Sequence, residues 1–151
     1  MNKTCPHCER STVASATHEL SRRIAGVTFR ATVPAELCTS CETPVIADAD
    51  LQRFELLAAR ELVAMGVYTG DAARFMRKSL EITAAQLAEL VDVAPETVSR
   101  WETGKTEAPP RALFLLLGFF VADRLEGRDR ASTLAQHTRP RQATVELKLA
   151  G

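Results

Sequence analysis

Four cysteines constrain this chain more than any other feature, because they fall as two C-x-x-C pairs with none left over. Cys5 and Cys8 frame "CPHC", and Cys38 and Cys41 frame "CTSC". A C-x-x-C turn directs two sulfurs towards one point, and two such turns supply the four soft ligands that tetrahedral zinc prefers. The stretch between the pairs, Glu9 to Leu37, has room for a small antiparallel sheet. A site closed by four protein ligands folds a small domain and leaves no open position for Lewis-acid chemistry. The sequence therefore predicts one structural zinc per chain on Cys5, Cys8, Cys38 and Cys41, with iron as the other metal such ligands admit. His7 lies between two ligands and is expected as an exposed turn residue. His18 and His137 have no partners at metal spacing.

The Pro-His filling of the first pair also resembles that of thioredoxin-related thiol oxidants. That chemistry places the dithiol after a buried strand and at the start of a helix. Only Met1 to Thr4 precede Cys5, and the reading gives "CTSC" no task. A thiol-disulfide oxidoreductase is therefore the weaker alternative, and a non-enzyme is expected. The longest apolar run, Ala112 to Ala122, is about half the ~20 residues a membrane helix needs. The start, "MNKTCPHCER", has no apolar core of a secretory signal. A cytoplasmic protein is expected, where clustered cysteines serve metal more often than disulfides.

The fold expected is mainly α with a small β zinc-ribbon. In residues 1–48, "VTFRATVPAELC" alternates, with Val27, Phe29, Ala31 and Val33 on one face, and "TVASATHEL" is its candidate partner. A unit of this size needs the metal as a staple. Residues 49–70 read as a linker helix with Leu51, Phe54, Ala58 and Leu62 on one face, Asp48 or Asp50 as cap and Gly66 as stop. "VYTG" breaks that pattern. Residues 71–125 read as all-helical, and 126–151 as a polar, Arg-rich tail that begins disordered. Within the tail "ATVELKL" alternates like a strand.

The segment "ITAAQLAELVDVAPETVSRWETGK" is the most informative. Thr83 followed by Gln86 is a capping box. Leu87, Ala88, Leu90 and Val91 make an inward stripe, "VDVA" is a short turn, and Pro95 suits the first position of a new helix. Val98 and Trp101 turn inward and Gly104 ends the helix. Two short helices with a tight turn are the geometry that sets a second helix in the DNA major groove. The outer face is then Glu96, Thr97, Ser99 and Arg100. Arg100 could give a bidentate pair to guanine, or be no more than a solvated charge.

Residues ~72 to ~122, through "LAELV", "ETVSRWE" and "TGK", resemble the Cro/C1 (XRE) phage-repressor helix-turn-helix family. The resemblance implies that Thr83 meets phosphate, that Pro95, Glu96, Thr97 and Arg100 face the groove, and that Ser99 is peripheral or faces phosphate. It implies that Lys105 and Arg111 touch backbone or minor groove, and that Arg77 and Glu102 form a structural ion pair. The family has Gln at the position of Ala84, often Gly at Glu81 and Asp92, and Ser or Thr at Ala94. Asp71 to Leu125 holds seven Arg or Lys against eight acids, so modest binding per subunit and a dimer are expected. "RALFLLLGFFVADRL" is apolar nearly all round, so it must be buried on more than one side. Leu113, Leu116, Leu117 and Phe120 are the candidate homodimer contacts; the alternative is that the N-terminal helix covers this face.

A four-cysteine domain ahead of such a helix-turn-helix resembles the MqsA-type antitoxins with their YgiT-type zinc finger, through "CPHC…LCTSCE" and "RFMRKSLEITAAQLAEL". That resemblance implies an antitoxin of a type II toxin–antitoxin system. Its zinc domain would bind the cognate toxin, and its other domain would dimerise on a double-stranded DNA operator and repress the operon. The alternative is a free-standing regulator whose zinc domain binds another partner.

Overall fold

The computed structural model describes residues 4–10 and 13–135. The alternating first half forms a long hairpin. Strand β1 (Val13–Ile24) runs antiparallel to β2 (Val27–Cys38), from the pair Val13 and Cys38 to the pair Ile24 and Val27. The two-residue turn has Ala25 at φ 48° and Gly26 at φ 83°. Positive φ at both positions is the hairpin turn whose twist matches the strands. A short β3 (Pro44–Val45) pairs with Glu36 and Leu37, giving the sheet order β1-β2-β3. Val27, Phe29, Ala31 and Val33 share the less exposed face of β2, and Val33 and Ala35 are buried.

Six helices follow among the described residues. Helix α1 (Asp48–Ala64) buries Phe54, Leu56, Ala58, Ala59 and Leu62. Its cap position is Ala47, with no side-chain cap, so Asp48 and Asp50 lie inside the first turn, where their charge complements the helix dipole. The stop is the expected Gly66, at φ 71°, with the Val67 N–H donating to the Leu62 carbonyl at 2.9 Å. Helix α2 (Gly70–Ser79) is capped by Thr69, helix α3 (Ala84–Leu90) by the Thr83–Gln86 box, and α4 (Pro95–Glu102) opens on Pro95. Helices α5 (Arg111–Leu125) and α6 (Arg130–Ala135) complete the described chain. Helices α2 and α3 close as α1 does, but with acids in the left-handed position, Glu81 at φ 59° and Asp92 at φ 54°.

The core lies among α1 to α5, around Leu62, Met76, Leu80, Leu87, Phe114, Leu117 and Phe120. Helix α1 is part of this core and packs chiefly on α5 and α2. At Gly118 of α5 an added Cβ would lie 3.3 Å from the Val63 methyls, which measures how close the two helices come. The hairpin tip joins the same core through Ile24, Val27 and Phe29, and Arg22 donates to Glu55 of α1 at 2.6 Å. The start of the tail is ordered, contrary to expectation. Asp123, buried at the end of α5, accepts from Arg128 Nε at 2.7 Å and from the Arg130 N–H at 3.0 Å. That anchor sets α6, whose Ala131 is buried. Hydrogen bonding from Arg128 holds the Asp123 carboxyl below its ordinary pKa. The strand-like "ATVELKL" lies outside the described residues.

Candidate metal centre and nucleic-acid interface

The two cysteine turns are near copies of each other. The Glu9 N–H donates to the Cys5 carbonyl and the Glu42 N–H to the Cys38 carbonyl, both at 2.8 Å. The Cys5 N–H donates to Arg10 at 2.9 Å and the Cys38 N–H to Thr43 at 3.2 Å, which closes each loop. In both turns the residue after the second cysteine is a glutamate with positive φ, Glu9 at 60° and Glu42 at 56°. The hairpin carries the second turn back to the first, because β1 starts and β2 ends beside the sulfurs.

Sγ of Cys5 lies 3.8 Å from that of Cys41, and Sγ of Cys8 lies 3.5 Å from that of Cys38. All four sulfurs fall within 4.8 Å of one another. A disulfide needs about 2.05 Å, whereas sulfurs at tetrahedral corners around zinc, each about 2.3 Å from it, stand about 3.8 Å apart. The donor set and its spacing therefore fit a single thiolate-bound metal ion. Cys5 and Cys38 are fully buried, and Cys8 and Cys41 are half-buried.

Hydrogen bonding around the sulfurs favours the thiolate at Cys41 and Cys38. The Thr43 hydroxyl, 3.3 Å from Cys41 Sγ, and then the Thr43 N–H lower the Cys41 pKa to about 6. The Cys41 and Ser40 N–H groups lower Cys38. At Cys8 the Arg10 N–H pulls down, but burial and the three neighbouring thiols outweigh it and raise the pKa to about 11. A divalent cation at the centre would displace the remaining protons. His7 is exposed and stands outside the cluster; its backbone N–H points to Cys5 Sγ at 3.4 Å.

The second site is built by α2, α3 and α4. Leu87 and Ala88 of α3 and Val98 of α4 are fully buried against each other and the core, with Leu90, Val91 and Trp101 half-buried. Helix α2 locks this pair of helices at two points. At Gly70 an added Cβ would lie 2.0 Å from the Trp101 carbonyl oxygen, so only glycine permits the approach. Further along, Arg77 grips Glu102 with two hydrogen bonds, Nε to Oε1 at 2.6 Å and Nη2 to Oε2 at 2.8 Å, and gives Nη1 to the Ile82 carbonyl at 2.8 Å. Both side chains are buried, so this pair serves the fold, as expected.

The opposite face of α4 is open. Pro95, Glu96, Ser99 and Arg100 are exposed and Thr97 is half-buried. The Arg100 guanidinium has no hydrogen-bond or ion-pair partner among the described residues, and Glu96, one turn earlier, does not pair with it. Thr83 is exposed at the start of α3, its Oγ1 accepting from the Gln86 N–H at 3.1 Å, which leaves the hydroxyl proton for an outside acceptor. Lys105 is exposed just past Gly104. Arg111 is exposed at the first position of α5, its guanidinium 5.5 Å from the centroid of the Tyr68 ring. Nothing in the sequence pointed to that ring beyond the break at "VYTG".

The dimerisation candidates divide between the core and the surface. Leu113, Leu117 and Phe120 are buried inside the chain's own core, on a helix that packs against α1 and α2, and Leu113 also lines an apolar hollow with Val91, Trp101, Pro110 and Leu116. Leu116 is half-buried. The large apolar side chains that α5 leaves in the open are Leu115 and Phe119, each about half exposed. A segment apolar all round gives no period by which to orient it, so the sequence could not distinguish the two sides.

Residues 74–120 match the helix-turn-helix family model, of the Cro/C1 (XRE) type. This is the fold of a DNA-binding regulator. The match covers about a third of the chain and begins inside α2, leaving the cysteine turns, the hairpin and α1 outside it. No curated protein matches the chain. Among the described residues no helix is long and apolar enough to cross a membrane.

Proposed function

We propose that this protein is a zinc-stabilised transcriptional repressor that binds its operator as a homodimer and serves as the antitoxin of a toxin–antitoxin pair in the cytoplasm. The observation that carries the reading is the open outer face of α4, where Arg100 keeps its full hydrogen-bonding capacity while the equivalent capacity of Arg77 is consumed inside the fold. Arg100 and Glu96 read base edges, Pro95, Thr97 and Ser99 shape the groove face, and Thr83, Lys105 and Arg111 hold phosphates. The zinc would be held by Cys5, Cys8, Cys38 and Cys41. When bound, it supplies cross-linking of the two turns and no reaction chemistry. The role is therefore non-catalytic.

Two further features support a partnered protein. Leu115 and Phe119 stand exposed on α5, and an apolar hollow of about 320 Å³, lined by Val91, Trp101, Pro110 and Leu116, opens on the same helix. Together they offer a surface that a two-fold-related copy would cover. The hairpin carries none of the DNA-facing residues, which leaves its long strands as the surface for a toxin.

Purification of the tagged full chain from its native host, with metal analysis and identification of bound proteins, tests the reading. One zinc per chain and a stoichiometric toxin are expected. Zinc and DNA binding without a protein partner would replace the antitoxin role by that of a free-standing regulator. A metal-free, disulfide-bonded chain would refute the zinc centre.

A further inference from the structure

Tyr68 sits in the connector between α1 and α2, directly before the Thr69 cap. Phe114 holds the ring in place, with centroids 5.0 Å apart and planes at 43°. The Arg111 guanidinium carbon stands over the same ring, 5.5 Å from its centroid. Arg111 and Phe114 are one turn apart on α5, so one face of that helix presents both to Tyr68. Arg111 belongs to none of the ion pairs among the described residues.

We propose that Tyr68 is a positioning residue for DNA binding: its ring holds the Arg111 guanidinium ready at the start of α5 for a backbone phosphate. The inference rests on the proposed reading of Arg111 as a phosphate contact and deepens it. A free arginine gives up many rotamers when it binds, which weakens each contact it makes. A carboxylate partner would order the side chain but would also neutralise it. An aromatic face orders the planar guanidinium and leaves its charge for the phosphate. The ring is itself fixed by Phe114, so the restraint is a rigid one.

The test uses the zinc-loaded full chain and a fluorescently labelled mixed-sequence duplex, because phosphate contacts carry no sequence information. Arg111→Ala should weaken binding and lower the salt slope by about one phosphate's worth, ~0.9. Tyr68→Leu, which keeps apolar bulk but removes the ring face, should weaken binding about two- to fivefold. In an Arg111→Ala background the same change should cost nothing further. Tyr68→Phe should bind as the parent does. Equal losses from Tyr68→Leu in both backgrounds would overturn the proposal, since the ring would then act through the fold, and so would a Tyr68→Phe loss matching that of Tyr68→Leu. If Arg111→Ala leaves affinity and salt slope unchanged while Arg100→Ala weakens binding to a selected operator, the Arg111 assignment fails and the helix-turn-helix reading stands. If the parent chain binds no DNA, the functional reading itself fails.

Discussion

Arg77 and Arg100 lie in neighbouring helices and have opposite uses. Arg77 is buried and gives three hydrogen bonds to Glu102 and Ile82, so removing it leaves a buried carboxylate and a carbonyl without partners. Arg77→Ala is expected to destabilise the zinc-loaded protein by about 3–5 kcal/mol in urea unfolding. A change below about 1 kcal/mol, the scale of an exposed pair, would contradict the buried role. Asp92 illustrates a different residue-scale effect. It adopts φ 54° to end α3, a conformation that costs an L residue about 1–2 kcal/mol and costs glycine none. Asp92→Gly should therefore stabilise the fold by up to about 1 kcal/mol in the same assay, after the added chain entropy of glycine is subtracted; a loss of stability would show that the aspartate makes a compensating contact. The family resemblance pointed to both features, the ion pair and the glycine-favouring position. The contact of Arg111 with Tyr68 was not legible, because it depends on how a connector packs on a helix more than forty residues later.

Among the elements, the hairpin is the one whose stability is least its own. A two-stranded ribbon is marginal in water, and this one is held at its base by the cysteine turns and at its tip by Ile24, Val27 and Phe29 in the helical core. Removing the proposed zinc with a chelator should release the base and spare the tip. Hydrogen exchange should then lose protection around Ala14 to Ala16 and Ala35 to Cys38, with α1 to α5 and Val27 to Phe29 still protected. Collapse of the helices on chelation would show that the core is not independent of the metal. Alternation made both strands legible, and cysteine spacing made the metal turns legible. The turn at Ala25-Gly26 was not, since alanine seldom adopts positive φ. Periodicity gave α1 an apolar face without saying what covers it, and the answer is α5, whose Leu117 and Phe120 are buried in the same core. Helix α6 was hidden in a polar stretch because its anchor is the single buried carboxylate of Asp123.

At the scale of the whole molecule, the metal centre and the outer face of α4 belong to different parts of one continuous fold, joined through the hairpin tip and α1. The chain carries zero formal net charge, so bulk electrostatics contribute little to DNA binding. On the proposed reading, specificity comes from a few groups set against base edges, with Arg100 the foremost candidate. The most direct measurement compares the affinity of the parent and Arg100→Ala for a duplex enriched from a random library and for a mixed-sequence duplex. The substitution should cost about 1–3 kcal/mol on the enriched duplex and little on the mixed one. An equal loss on both, or none on either, would contradict base readout by α4.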